Sequence, residues 1–250
     1  MPDILAEVLA LEGLAWIIGA TFLAGLVRGF SGFGTALIYV PIAAQYLSPI
    51  WVIITIALMD VAGPAPNLPK VWKDRTSGDL VRMFVGVLVG LPIGLALLTM
   101  VDPNVFRYTV SILALLLLVL LLSGFRYRGA VRPSMLYGIG GASGFLGGVA
   151  GIPGPPMIMF YMTSTLPVAV IRANATLFLV GYDVILVAMV AVQGLLNGVP
   201  LVLGLFLTLP NMLGNYVGGL IFNPDYQRVY RAVAYLLVAA TAISSLPFWS

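Results

Sequence analysis

Cysteine and histidine are both missing from this 250-residue chain. The first absence excludes disulfides and thiolate metal sites. The second removes the commonest metal ligand and the easiest proton carrier near neutral pH. Charge is scarce as well: Asp, Glu, Lys and Arg make up 8% of the residues, against roughly 25% in soluble domains. A chain with so few charges cannot cover its own surface in water. Its 61% of hydrophobic residues and mean hydropathy of +1.08 call for a hydrocarbon solvent. Met1 to Gly13 contains Asp3, Glu7 and Glu12 but no Lys or Arg, whereas a secretory signal opens with positive charge, so none is expected there. The net charge of +3 comes from basic residues too scattered for a nucleic-acid patch, so nucleic acid is not an expected partner.

What is present is a series of long apolar runs. Thr109 to Phe125 and Ala173 to Tyr182 are of membrane type. A closed β-barrel would also satisfy its backbone in lipid, but its strands alternate apolar and polar. Leu113 to Leu122 is apolar on every face, so an all-α polytopic membrane protein is expected. Gly and Pro punctuation divides the chain into Leu14–Arg28, Gly34–Leu47, Ile50–Leu68, Asp79–Met100 and Val105–Phe125. A second set follows: Met135–Val149, Pro155–Leu166, Val168–Gln193, Val199–Leu220 and Tyr226–Leu246. Trp16, Trp51, Trp72 and Trp249 fall near segment ends, as interfacial anchors do.

The two sets resemble one pattern used twice. Gly25, Gly29 and Gly32 sit 119 residues before Gly144, Gly148 and Gly151, and Gly34 matches Gly154 after a one-residue insertion. Gly90 and Gly94 match Gly214 and Gly218 in a small-xxx-small spacing. Asp102-Pro103-Asn104 with Arg107 matches Asn223-Pro224-Asp225 with Arg228, and Asp60 lies 123 before Asp183. Matches in this order argue for a duplication, a common transporter plan. The expected organisation is a single membrane domain of two transmembrane repeats, 1–128 and 129–250, each of about five helical segments. Positive charge marks cytoplasmic loops. Lys70, Lys73 and Arg75 form one basic loop and Arg126, Arg128 and Arg132 another, while the loop matching the first in the second half, Gln193 to Pro200, has no positive charge. Equivalent loops on opposite sides mean inverted topology. Eight plain helices in two parallel repeats of four are the rival arrangement. The first two segments of each half, about 15 residues or roughly 22 Å, are shorter than the ~30 Å hydrocarbon core, which suits tilted or re-entrant first helices.

Two stretches carry the candidate chemistry. Arg28-Gly29-Phe30-Ser31-Gly32-Phe33-Gly34 concentrates glycine where a continuous helix loses about 1 kcal/mol per residue relative to alanine. A helix restarting near Gly34 aims its free N–H groups and positive dipole end at the break, which suits an anion. Close helix packing is the competing use of the same glycines. In Gly147-Gly148-Val149-Ala150-Gly151-Ile152-Pro153-Gly154-Pro155-Pro156, three prolines in four positions enforce a break, with a restart from Pro155. Under the inverted repeat the two restarted helices face each other near the midplane. Arg28 and Arg172 flank these features. Each is either an anion ligand or a side chain snorkelling to a headgroup. Asp60 and Asp183 lie in apolar runs and are the expected proton-coupling pair, unless each is paired with an arginine. Asn67, Asn174, Asn211 and Asn215 could donate amides to an oxyanion or hold helices together.

Gly29-Phe30-Ser31-Gly32-Phe33-Gly34 with Val40-Pro41, and Gly148-Val149-Ala150-Gly151-Ile152-Pro153-Gly154, resemble the sulfite exporter TauE/SafE family of membrane permeases over nearly the whole chain. The resemblance implies transport of sulfite, sulfoacetate or other organosulfonates. The expected substrate site comprises Arg28, Gly29, Ser31, Gly32, Phe33, Gly34, Gly151, Pro153, Gly154, Arg172, Asn174, Asn211 and Asn215. The expected activity is secondary transport by alternating access in the bacterial inner membrane. No phosphate-binding loop, cofactor or enzymatic constellation is present in the sequence. A passive anion channel and a permease for small carboxylates are the alternatives. The partners expected are the anion and the lipid bilayer, and a homodimer is compatible with both.

Overall fold

A computed structural model describes residues 2–31, 34–62, 68–123, 132–161, 164, 166–221, 223 and 226–246. Among them there is no strand. The helices are α1 (Pro2–Leu9), α2 (Leu14–Ser31), α3 (Thr35–Ala43), α4 (Pro49–Ala62), α5 (Leu68–Val71) and α6 (Ser77–Met100). They continue with α7 (Pro103–Leu122), α8 (Met135–Ala150), α9 (Gly154–Tyr161), α10 (Val168–Val192), α11 (Gly198–Ile221) and α12 (Gln227–Ser244). Each of the ten segments read from the sequence is represented by one of these helices. The acidic N-terminal stretch forms a further helix, α1, which the charge pattern did not signal. The segment expected to run to Leu68 ends its helix at Ala62, and 63–67 lie outside the described residues.

Helix ends follow local chemistry. Asp102 Oδ1 accepts the Asn104 N–H at 2.8 Å and caps α7, whose first residue is Pro103, where a missing N–H is harmless. Asn197 Oδ1 accepts the Val199 N–H at 3.1 Å at the start of α11. Thr76 precedes α6, and Asp79 in that first turn complements the positive helix end and pairs with Arg82 at 3.2 Å.

The solvent can be read from α6. Leu80, Met83, Val87, Leu91, Leu95 and Leu98 are buried at helical spacing, while the opposite face exposes Val85, Leu88, Val89, Ile93 and Leu97. A helix in water would place polar residues there; apolar residues all round fit lipid. Ser77–Met100, Pro103–Leu120, Ala169–Val192 and Gly198–Ile221 are long and apolar enough to cross a bilayer. The protein is an integral membrane protein.

The chain forms two compact units. The first takes Met1–Met59, Val101–Ser123 and Leu196–Ser250; the second takes Asp60–Met100 and Gly124–Leu195. Neither unit follows the sequence halves. In the first, α2 packs on α11; in the second, α8 packs on α6. Each pair joins an opening helix of one half to a late helix of the other. Both pairs are backbone-to-backbone. A Cβ at Gly25 would overlap the Asn211 carbonyl oxygen, and one at Gly214 that of Phe22. A Cβ at Gly90 would overlap the Gly141 carbonyl oxygen. Lipid tails are as apolar as leucine, so helices in a bilayer associate through such close van der Waals contact. Around these pairs the first unit adds α12 against α7, with Ser111 and Ser245 hydroxyls 3.0 Å apart in a buried hydrogen bond. The second adds α10, whose Phe178 stacks on Phe84 of α6 with ring centroids 5.7 Å apart.

Replacing Gly90 by Ala is therefore expected to lower the thermal unfolding midpoint in detergent, by an amount equivalent to about 1–3 kcal/mol of overpacking. Gly138→Ala, on the same helix pair but with nothing within 4 Å of the new methyl, serves as the control and should leave the midpoint unchanged or raised. Equal losses in the two variants would contradict the packing described.

Candidate functional site

Both helix breaks expected from the sequence are present. In the first unit α2 ends at Ser31 and α3 begins at Thr35, preceded by Gly34 with φ +102°. That is the left-handed region, which an L side chain enters at a cost of roughly 1–2 kcal/mol. Arg28, in the last turn of α2, complements the negative end of that helix, and its guanidinium Nη1 donates to Thr35 Oγ1 at 3.4 Å. The half-buried cation thus stands at the first turn of α3, where the Thr35, Ala36 and Leu37 N–H groups have no partner within the helix. The next amide, Ile38, bonds to Gly34 at 3.2 Å. Below this, Tyr39 of α3 is fully buried and shares a 2.7 Å hydrogen bond with Thr55 of α4.

In the second unit α8 ends at Ala150 and Gly151 takes φ +70°. The Gly151 N–H bonds to the Gly147 carbonyl at 2.8 Å and the Ile152 N–H to that of Leu146 at 3.4 Å, a glycine-terminated helix end of the αL type. Ile152 and Pro153 are buried between helices, and α9 starts at Gly154. Its opening turn differs from that of α3 because Pro155 and Pro156 have no N–H to offer. The last turn of α8 also has no basic residue. At the 119-residue offset of the glycine matches, position 147 corresponds to Arg28, and it is glycine. The two breaks are alike in backbone and unlike in charge.

The other expected site residues are dispersed. Gly32 and Phe33 lie outside the described residues, as does Asn67. A Cβ at Gly29 would overlap the Asn215 carbonyl oxygen, so Gly29 faces α11. Asn215 is half-buried there. Asn211 is buried, with its Nδ2 donating to the Met59 carbonyl at 3.4 Å and its Oδ1 without a hydrogen-bond partner among the described residues. Asn174 is fully buried but occupied: its Oδ1 accepts the Thr76 N–H at 2.9 Å and its Nδ2 donates to the Thr76 hydroxyl, which ties α10 to the start of α6. Arg172 is exposed near the start of α10, as a side chain reaching for headgroups is. Asp183 is buried and Asp60 half-buried, and each has an interaction partner. Sequence reasoning passed over Ser143 and Tyr182, single polar residues inside apolar runs. Their hydroxyls are buried and have no hydrogen-bond partner among the described residues.

No group of three or more His, Cys, Asp and Glu side chains suited to a metal occurs among the described residues. A groove of about 440 Å³ in the second unit is lined by Leu68, Trp72, Leu80, Phe84, Leu177 and Val180, with Arg75 at its edge. Its walls suit hydrocarbon better than a small hydrated anion.

A helix break with a half-buried arginine at the restart has the donors that an anion needs. The family model described as sulfite exporter TauE/SafE matches residues 17–245. The chain belongs to the TauE/SafE family. TauE/SafE proteins are membrane transporters, and the match spans both glycine-rich breaks and every helix from α2 to α12. No curated protein and no solved structure matches the chain.

The Gly34 backbone gives a direct test of the first break. Gly34→Ala introduces no clash, the nearest atom to the new methyl being Val27 Cγ1 at 3.5 Å, so its effect isolates the backbone angle. The variant should be less stable by roughly 1–2 kcal/mol, and Gly34→Asn less affected, since asparagine tolerates left-handed backbone. Thermal unfolding of the three proteins in one detergent measures it; an alanine variant as stable as wild type would remove the break as drawn.

Proposed function

We propose that this TauE/SafE protein is a secondary transporter in the bacterial inner membrane that moves sulfite or a small organosulfonate such as sulfoacetate by alternating access. The observation that carries this reading is Arg28 Nη1 reaching Thr35 across the α2–α3 break. A sulfonate offers three acceptor oxygens and one negative charge. The guanidinium donates charge-assisted hydrogen bonds to it, and the free amides of the first α3 turn supply further donors backed by the helix dipole. Both act in a low-dielectric setting, which strengthens their attraction for an anion. Arg28 rather than Arg172 is the anion ligand, because Arg28 stands at a restarting helix and Arg172 is exposed.

Transport against a gradient needs a coupling ion. Asp183 and Asp60, carboxylates set in apolar helices, are the groups to carry a proton, and backbone carbonyls freed at the breaks are the groups to hold sodium instead. A pH gradient applied to sodium-free proteoliposomes separates the two: uptake points to protons, and its absence with recovery on adding sodium points to the cation.

The substrate is tested by thermal shift of purified protein against sulfite, sulfoacetate, taurine, thiosulfate and simple carboxylates. A sulfur oxyanion is expected to stabilise the protein most. Arg28→Gln should weaken that response tenfold or more, the scale of one hydrogen bond to a charged group. Wild-type affinity in Arg28→Gln, or a preference for carboxylates, would overturn the assignment.

A further inference from the structure

Buried hydroxyls on the described helices usually find a partner. Thr21, Thr55, Thr208, Thr241 and Ser245 each donate back to the carbonyl four residues earlier, at 2.7–3.0 Å. That is the usual resort of a helical hydroxyl without another partner. Ser143 of α8 is fully buried and makes no such bond. Tyrosines show the same contrast. Tyr39 is fully buried and bonded to Thr55, whereas Tyr182 of α10 is equally buried and its hydroxyl has no partner among the described residues. Buried hydroxyls left unsatisfied are rare in native proteins and each needs a reason.

Both residues border the same stretch of α8. The Tyr182 hydroxyl lies against Gly147, so closely that a Cβ there would overlap it. Ser143 is one turn earlier on the same face of α8. Gly147 itself accepts the Gly151 amide that closes the helix, so both hydroxyls stand at the last turns before the second break. This is also the turn whose counterpart in the first half presents Arg28. Where one half has a guanidinium, the other has glycine with a tyrosine hydroxyl laid over it.

We propose that Ser143 and Tyr182 form a neutral, two-hydroxyl subsite within the second unit, beside the α8–α9 break, that donates hydrogen bonds to a sulfur oxyanion. The proposal rests on the anion-transport reading above and extends it to residues outside the glycine motifs. It also accounts for Gly147, which leaves room for the tyrosine hydroxyl at the helix surface.

The test uses Tyr182→Phe and Ser143→Ala in the full-length protein, with sulfite and sulfoacetate as probes. Each variant should raise the half-maximal anion concentration in thermal shift and the KM for proteoliposome uptake by roughly tenfold. Without anion, each should unfold at the wild-type temperature or above it, because an unsatisfied buried hydroxyl has been removed. A residue that merely fills space would not separate these two readouts. Should Tyr182→Phe fail to fold, Ser143→Ala carries the same expectation. Wild-type affinity in the folded variants, alongside weakened binding in Arg28→Gln, would overturn this subsite and leave the proposed function standing. A changed sodium dependence with unchanged anion affinity would overturn it too, in favour of a cation site. If wild type responds to no anion, the proposed function falls and this subsite with it.

Discussion

Bare backbone against bare backbone is the contact on which the rest of this protein depends. In each unit one helix pair, α2 with α11 or α6 with α8, meets at glycines whose Cβ would overlap a facing carbonyl oxygen. A bilayer gives helices no hydrophobic reason to associate, so contact area and close approach must supply the attraction. Large side chains are turned outward in consequence: the face of α6 away from α8 carries valine, leucine and isoleucine into the surrounding hydrocarbon.

Pinning α2 and α8 in this way permits each to stop inside an apolar environment. A helix that ends there exposes amides and carbonyls that lipid cannot satisfy, so the ends are made with care. Gly151 closes α8 with two backbone bonds, and Gly34 sets the angle from which α3 restarts. Electrostatics then separates the two breaks. The first has a guanidinium and an opening helical turn with all its amides. The second has two prolines in that turn and no cation in the turn before it.

Much of this was legible in the sequence because its signals are local. Apolar run length located the helices, and prolines at 153, 155 and 156 forced the second break. Glycine spacing gave the internal correspondence. It did not reveal which glycines touch: Gly25 meets Asn211 and Gly214 meets Phe22, partners nearly 190 residues apart in a pairing that crosses the two halves. Gly29 was read as a ligand of the break and faces α11, since small residues serve both purposes and only the partner decides. Asn174 looked like an anion donor but is occupied by Thr76, 98 residues away. Ser143 and Tyr182 carry no motif; what distinguishes them is a missing partner, a property of packing. Helix α1 was missed because its two carboxylates, Asp3 and Glu7, outweighed its apolar residues in a reading by charge.

The most direct measurement is a density map of the purified protein with sulfoacetate bound. The account predicts a sulfonate within hydrogen-bonding distance of the Arg28 guanidinium and the first amides of α3, with α2 and α3 separated at Gly34. An unbroken helix through residues 31–35, or a sulfonate held away from Arg28, would contradict it.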